Sequence, residues 1–153
     1  MENILLLMLK KVYLKKILRF VFKKFAMSWL DKINWNKENL VPVIVQEIDT
    51  NQVLMHAWMN RESLEETYKS GRATYWSRSR QSLWIKGESS GHYQYVESIR
   101  ADCDYDALLI TVKQKEGIAC HTGRHHCFFT KLVDGNWVET EKILKASEDI
   151  YDK

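Results

Sequence analysis

Three aspartates stand at every second position in "DCDYDALL", at Asp102, Asp104 and Asp106, with Cys103 threaded between the first two. Converging carboxylates are hard oxygen donors suited to Mg2+, whereas a thiolate prefers a softer ion such as Zn2+. The stretch therefore reads as part of two sites. If it continues the strand before it, a period of two puts the aspartates on one face and Cys103 on the other. Two further thiols follow at Cys120 and Cys127, with His121, His125 and His126 between them. Three cysteines with an open position make a catalytic zinc site, and three cysteines plus one of these histidines make a closed, structural one. The spacing leaves both open, and the lack of a CxxC knuckle counts against an ordinary zinc ribbon. Taken singly, an acidic turn is often only solvated and a lone cysteine often only fills space. Three Asp, three Cys and three His between residues 102 and 127 are harder to dismiss together.

The elements that must position these groups are mostly strands. "LVPVIVQEID" and "VLMHAWM", joined by a two-residue turn at Asn51 and Gln52, read as a hairpin. Asn60 can cap a short helix over Arg61 to Ser70, with Gly71 at its C-terminal cap. "ATYWSRS", "SLWIKG", "YQYVESIRADC" and "ALLITVKQ" are short runs rich in Tyr, Trp, Ile and Val, separated by polar turns. The loop "KEGIACHTGRHHC" precedes a last hairpin around Asp134-Gly135, and the tail can form a helix. The chain is expected to be mainly β, on the border of α+β, with one or two short helices.

At 153 residues, 45% of them hydrophobic and a single one proline, the sequence suits one domain with its own core. The net charge of +3 is unevenly spread. Residues 1–26 hold seven Lys/Arg against Glu2, a local charge of +6, so residues 27–153 are mildly acidic. That balance does not suggest a nucleic-acid surface. An odd count of three cysteines without a secretory-type signal peptide favours reduced, metal-binding or catalytic thiols over a disulfide framework. In residues 1–26 the lysines recur on one side of a helix, with Tyr13, Ile17, Phe20, Val21 and Phe25 opposite. The apolar run from Ile4 to Leu9 is far short of the roughly 20 residues a span needs, so association with a membrane surface is the strongest membrane reading. "MSWLDKINW", starting at Met27, also reads as the start of a domain, which would make residues 1–26 a basic N-terminal extension produced by an upstream start.

"VLMHAWMNRESL", "GRATYWSRSRQSLWIKGESSGH", "IRADCDYDALL" and "ACHTGRHHC", in that order, closely resemble the phosphoribosyl-AMP cyclohydrolase family, over about residues 29 to 132. The family opens the adenine ring of 1-(5-phosphoribosyl)-AMP in histidine biosynthesis. The resemblance implies a mixed, twisted sheet or pseudobarrel over residues 27–153, in a cytoplasmic homodimer. It also implies zinc held by Cys103, Cys120 and Cys127 across the subunit interface, and magnesium at Asp102, Asp104 and Asp106. Within that frame His121 is the candidate base, unless it is the fourth zinc ligand. Arg78, Arg80, Lys86, Ser90 and Gly91 are candidates for binding the substrate and its phosphates. Trp76 and Trp84 could stack on the purine, though tryptophans on half-buried strands more often belong to the core, which is the reading favoured. The chain departs from the family pattern at His126, where serine is usual, and at His56, where an apolar residue is customary. Coordination by His126 would remove the open position on zinc. The competing function is a non-catalytic zinc-binding module that meets a membrane or nucleic acid through its basic N-terminal helix.

Overall fold

A computed structural model describes residues 12–16 and 28–151. Of the helix expected over residues 1–26, residues 12–16 are helical and exposed, and the rest lies outside the described residues. Among the described residues no helix is long and apolar enough to cross a membrane. The chain divides into two compact units, Met1–Ile33 and Asn34–Lys153. In the first, a 3-10 turn covers Ser28–Lys32.

The second unit is mainly β, as the sequence suggests. Strands β1 (Val41–Glu47), β2 (Val53–Met59), β5 (Gln94–Ala101) and β6 (Leu108–Gln114) form a four-stranded sheet in the order β2-β1-β6-β5. Its β1 and β6 are parallel while the outer pairs are antiparallel, so the sheet is mixed. Two hairpins form separate two-stranded sheets, β3 (Thr74–Ser77) with β4 (Ser82–Ile85) and β7 (Thr130–Val133) with β8 (Asn136–Glu139). Helix α1 covers Arg61–Ser70 and α2 covers Ser147–Tyr151.

Strand β1 shows why this sequence makes a sheet. Val41, Val43 and Val45 are buried while Pro42, Ile44 and Gln46 are not, the period of two that lays alternate side chains on one face. Leu108, Ile110 and Val112 of β6 repeat the pattern beside it. Leu54, Ala57 and Met59 of β2 and Leu64 of α1 join the buried apolar set. The connection from β1 to β2 is longer than the expected two-residue turn: it spans residues 48–52, and Asn51 takes a left-handed φ of 60°.

Helix α1 has the boundaries expected of it. The Asn60 side chain accepts from Ser63 N–H at 2.8 Å, and Ser63 Oγ accepts from Asn60 N–H at 2.9 Å, a reciprocal cap. Gly71 closes the helix at φ 68°, donating to the Thr67 carbonyl. Thr67 Oγ also accepts from Thr74 N–H at 2.9 Å, which ties the helix to β3.

Candidate active site

The acidic triad does not continue a strand. β5 ends at Ala101, and residues 102–107 form the turn into β6, closed by Asp102 N–H donating to the Ala107 carbonyl at 3.1 Å. Tyr105 takes φ 63° within it. Asp102 Oδ1 accepts from the N–H groups of Asp106 at 3.1 Å and Ala107 at 3.2 Å, so this carboxylate folds the turn over itself. The carboxylates of Asp102, Asp104 and Asp106 come within 4.8 Å of one another, all exposed. Convergence thus arises from turn geometry, not from the two-residue period. Asp104, and then lesser contributions that include Asp102, hold the Asp106 carboxyl above the usual carboxylate range. Neighbouring negative charge is the condition that a divalent cation relieves.

The second candidate centre is a cavity of about 70 Å3 lined by Cys120, Cys127, Lys86 and His92, among others. Its loop doubles back on itself. Ala119 N–H donates to the His125 carbonyl and Cys120 N–H to the Arg124 carbonyl, both at 3.1 Å, while Cys127 N–H reaches the Leu54 carbonyl on β2 at 2.7 Å. Buried Arg124 holds the loop from behind, donating to the Glu141 carbonyl at 3.1 Å, pairing with the Glu139 carboxylate and stacking 4.1 Å over Phe129. Arg124 also donates to Thr122 Oγ at 3.1 Å, and that oxygen lies 3.0 Å from Cys120 Sγ. With its lone pair engaged by the guanidinium, the hydroxyl hydrogen is free to point at the sulfur.

The two sulfurs feel one another. Removal from water, then the Cys120 charge and a hydrogen bond with Cys120, push the Cys127 thiol up to about 12. Lys86, itself buried, opposes that rise. Burial lowers the Lys86 pKa, and the two cysteines partly restore it. Two sulfur donors beside a buried lysine, in a small cavity, are a donor set that fits a soft divalent ion, whose binding would displace the thiol protons. Cys103 is not part of it: it is exposed on the acidic turn, with its sulfur 4.0 Å from Asp104 Oδ1. His126 does not line the cavity, and its Nε2 lies 3.7 Å from Glu141 Oε1. His125 is also engaged, with Nδ1 2.7 Å from the Gly117 carbonyl and Nε2 3.1 Å from Glu47 Oε2.

Outside this cavity lies an open cleft of about 560 Å3. Trp58, Trp76 and Trp84 give it aromatic walls, with His56 and Arg80 also lining it. Trp84 and exposed His121 line both the cleft and the inner cavity. Trp76 and Trp84 are half-buried on the β3–β4 hairpin, so they are not sealed in the core as the sequence reading favoured. Arg78 stacks 4.9 Å from the Trp58 ring and lines a neighbouring groove with Glu38. The expected substrate residues are thus divided: Arg78 and Arg80 lie at the outer face, whereas Lys86 and Ser90 line the inner cavity. Gly91 supplies a left-handed turn at φ 79°, and its N–H donates to the Gly87 carbonyl at 2.8 Å. Sequence reasoning gave no role to His92, Ile150 or Tyr151, which also line the inner cavity. The glycines flanking "GESSGH" are the signal that the loop ending in His92 is tightly folded.

Fold and site together describe a small mainly β enzyme domain with an acidic turn and a thiol cavity as two candidate cation centres. A family model for phosphoribosyl-AMP cyclohydrolase matches residues 55–129, the stretch that contains both centres. Among curated relatives, the phosphoribosyl-AMP cyclohydrolase of Nitrosococcus oceani is 58% identical over 126 residues, covering 82% of this chain and 96% of that one. The Methylobacillus flagellatus protein of the same name is 61% identical over 81% of this chain and 95% of its own. For the Nitrosomonas europaea protein the identity is 55%, over 82% and 98%. The chain belongs to the phosphoribosyl-AMP cyclohydrolase family, and is accordingly a hydrolase that serves histidine biosynthesis.

Proposed function

We propose that this protein hydrolyses the bond between nitrogen 1 and carbon 6 of the adenine ring in 1-(5-phosphoribosyl)-AMP. The observation that carries the reading is the paired sulfurs of Cys120 and Cys127 in a cavity that shares His121 and Trp84 with an aromatic cleft. Alkylation at nitrogen 1 removes aromatic stabilisation from the purine and leaves carbon 6 electrophilic. The cleft walls are suited to receive the base by stacking. Zinc, when bound, supplies the nucleophile near neutral pH by lowering the pKa of water from 15.7 to roughly 7. Cys120 and Cys127 would hold it from one subunit and Cys103 from the other, since Cys103 is exposed on a turn and does not line the cavity of the other two. The functional unit is then a homodimer.

The remaining work falls to side chains. His121, which lines both cleft and cavity, would take a proton from the attacking water or hand one to the departing nitrogen. Arg78 and Arg80 on the outer face, Lys86 and Ser90 on the inner side and Gly91 in the turn next to Ser90 would meet the two phosphates. Asp102, Asp104 and Asp106 would hold magnesium, which offsets the remaining phosphate charge. The catalytic domain would be residues 27–153, after a basic N-terminal extension of residues 1–26.

The test is ring opening of phosphoribosyl-AMP, followed by ultraviolet absorbance, on protein loaded with zinc and magnesium and again after chelation. Turnover that disappears with the chelator is expected. A metal-loaded protein with no turnover refutes the reading. Metal analysis of Cys103→Ser adds an independent arm: loss of zinc is expected, and zinc retained at full stoichiometry contradicts the shared site.

A further inference from the structure

His92 is 1% exposed, and neither of its ring nitrogens has a partner at hydrogen-bond geometry among the described residues. Buried polar groups are almost always bonded, so an imidazole left this way calls for a partner from outside the chain. The ring lines the cavity that holds Cys120 and Cys127, which is ample for a water molecule. The fold goes to some length to put it there. Gly87, at φ 86°, lies so close to the backbone of the following turn that a Cβ would sit 2.4 Å from Tyr93 N and 2.5 Å from His92 C. Only glycine permits that approach. His92 N–H donates to Ser90 Oγ at 3.3 Å, which fixes the residue at the loop's end.

A second unusual conformation faces the same ring. Glu116, just past the end of β6, takes φ 59° and ψ 12°, a left-handed backbone that a non-glycine residue seldom adopts. Its carboxylate Oε2 lies 3.5 Å from His92 Nδ1. Lys86, Lys145 and the backbone of Lys115 are the other polar groups that act on the ring. Burial lowers the His92 pKa more than Glu116 raises it, so the ring is neutral, with one nitrogen a donor and the other an acceptor. An ionised carboxylate only accepts, so its approach to Nδ1 favours the hydrogen on that nitrogen.

We propose that Glu116 and His92 form a carboxylate–imidazole pair that fixes the ring proton on Nδ1 and presents an unprotonated Nε2 to the attacking water. This rests on the cyclohydrolase reading, which makes a water in this cavity the nucleophile. His92 is then a further catalytic residue and Glu116 a positioning residue. The acceptor orients a lone pair of the water oxygen toward carbon 6 by engaging one of its hydrogens. His121 remains on the cleft side.

Nitrogen-15 NMR of the metal-free protein reads the tautomer without any turnover. The expected spectrum shows His92 protonated at Nδ1 and bare at Nε2. Glu116→Gln, at an exposed side chain, is expected to mix the two tautomers and to lower kcat about tenfold with KM unchanged. His92→Leu is expected to lose on the order of a hundredfold in kcat, and His92→Asn, which keeps an acceptor, to recover part of it. A proton found on Nε2, or a Glu116→Gln protein with unaltered tautomer and kcat, overturns the proposal even if His92→Leu fails to fold. A wild-type protein inactive on the nucleotide but carrying the Nδ1 tautomer would refute the cyclohydrolase reading while supporting the pair.

Discussion

Replacing Gly123 by alanine tests how the cysteine cavity is kept closed. A methyl group at this position would lie 1.7 Å from the Lys145 carbonyl oxygen, inside any possible contact, and the residue sits at φ 79°. Gly123 O accepts from Leu144 N–H at 2.8 Å and from Lys145 N–H at 3.3 Å, which straps residues 143–151 across the loop. That strap ends in α2, where Ile150 is 2% exposed and lines the cavity together with Tyr151. The clash is with backbone, so the strap must lift. Lifting it forfeits two hydrogen bonds at about 1 kcal/mol each and the burial of Ile150 at about 2 kcal/mol. Left-handed strain at an alanine adds about 1–2 kcal/mol if the loop keeps its shape. A loss of roughly 4–6 kcal/mol is expected in urea unfolding, large for one methyl group. A thiol reagent should also label Cys120, 3% exposed in the native fold, many times faster in the variant. A variant within about 1 kcal/mol of the parent and equally slow to label would show that the strap does not close the cavity.

Three further outcomes follow from other parts of the molecule. Tyr75 is buried, donates to Gln94 Oε1 at 2.6 Å and has its pKa raised well above the usual value, by burial first and Cys127 second. A folded-state pKa above the unfolded one gives stability that is complete below about pH 10 and is lost as pH rises beyond it. Tyr75→Phe should therefore cost about 1 kcal/mol at neutral pH and flatten the alkaline limb of a stability–pH curve. Asn60→Ala removes the side-chain acceptor for Ser63 N–H and should cost about 1 kcal/mol, read as a drop of a few degrees in Tm. Asp102→Ala deprives the Asp106 and Ala107 amides of their acceptor and should both destabilise the turn by about 1–2 kcal/mol and weaken Mg2+ binding. Asp102→Asn keeps an acceptor oxygen, so calorimetric titration should show the loss of cation affinity with less loss of stability.

The parts of the fold that the sequence made legible are those decided by neighbours. Helix α1 could be placed from Asn60 and Gly71 because both caps act within a few residues. The β7–β8 hairpin followed from Asp134-Gly135 for the same reason. The parallel pairing of β1 with β6 could not be read, since no local pattern distinguishes a strand's distant partners. The acidic triad was recognised by composition and misplaced in geometry. Alternating aspartates look like a strand face, yet a left-handed Tyr105 and the Asp102 acceptor turn them into a loop. At the thiols, residue type pointed to Cys120 and Cys127, but their meeting depends on Arg124, whose partners Glu139 and Glu141 lie beyond the loop itself. The aromatic cleft escaped for a related reason, because a half-buried tryptophan has the same sequence environment whether it faces core or cleft.

The β1–β6 ladder also sets an order of assembly. Val43 pairs with Leu108, so the ladder closes a stretch of about 65 residues, an entropic cost that local hairpins do not carry. The turn bearing Asp102, Asp104 and Asp106 needs only the β5–β6 hairpin around it. Cys127, by contrast, is anchored to Leu54 on β2, at the far side of that ladder. A nascent chain would own its carboxylate cluster early and its sulfur pocket only on completion, so any cation held by the oxygens could be in place before softer ions have a home.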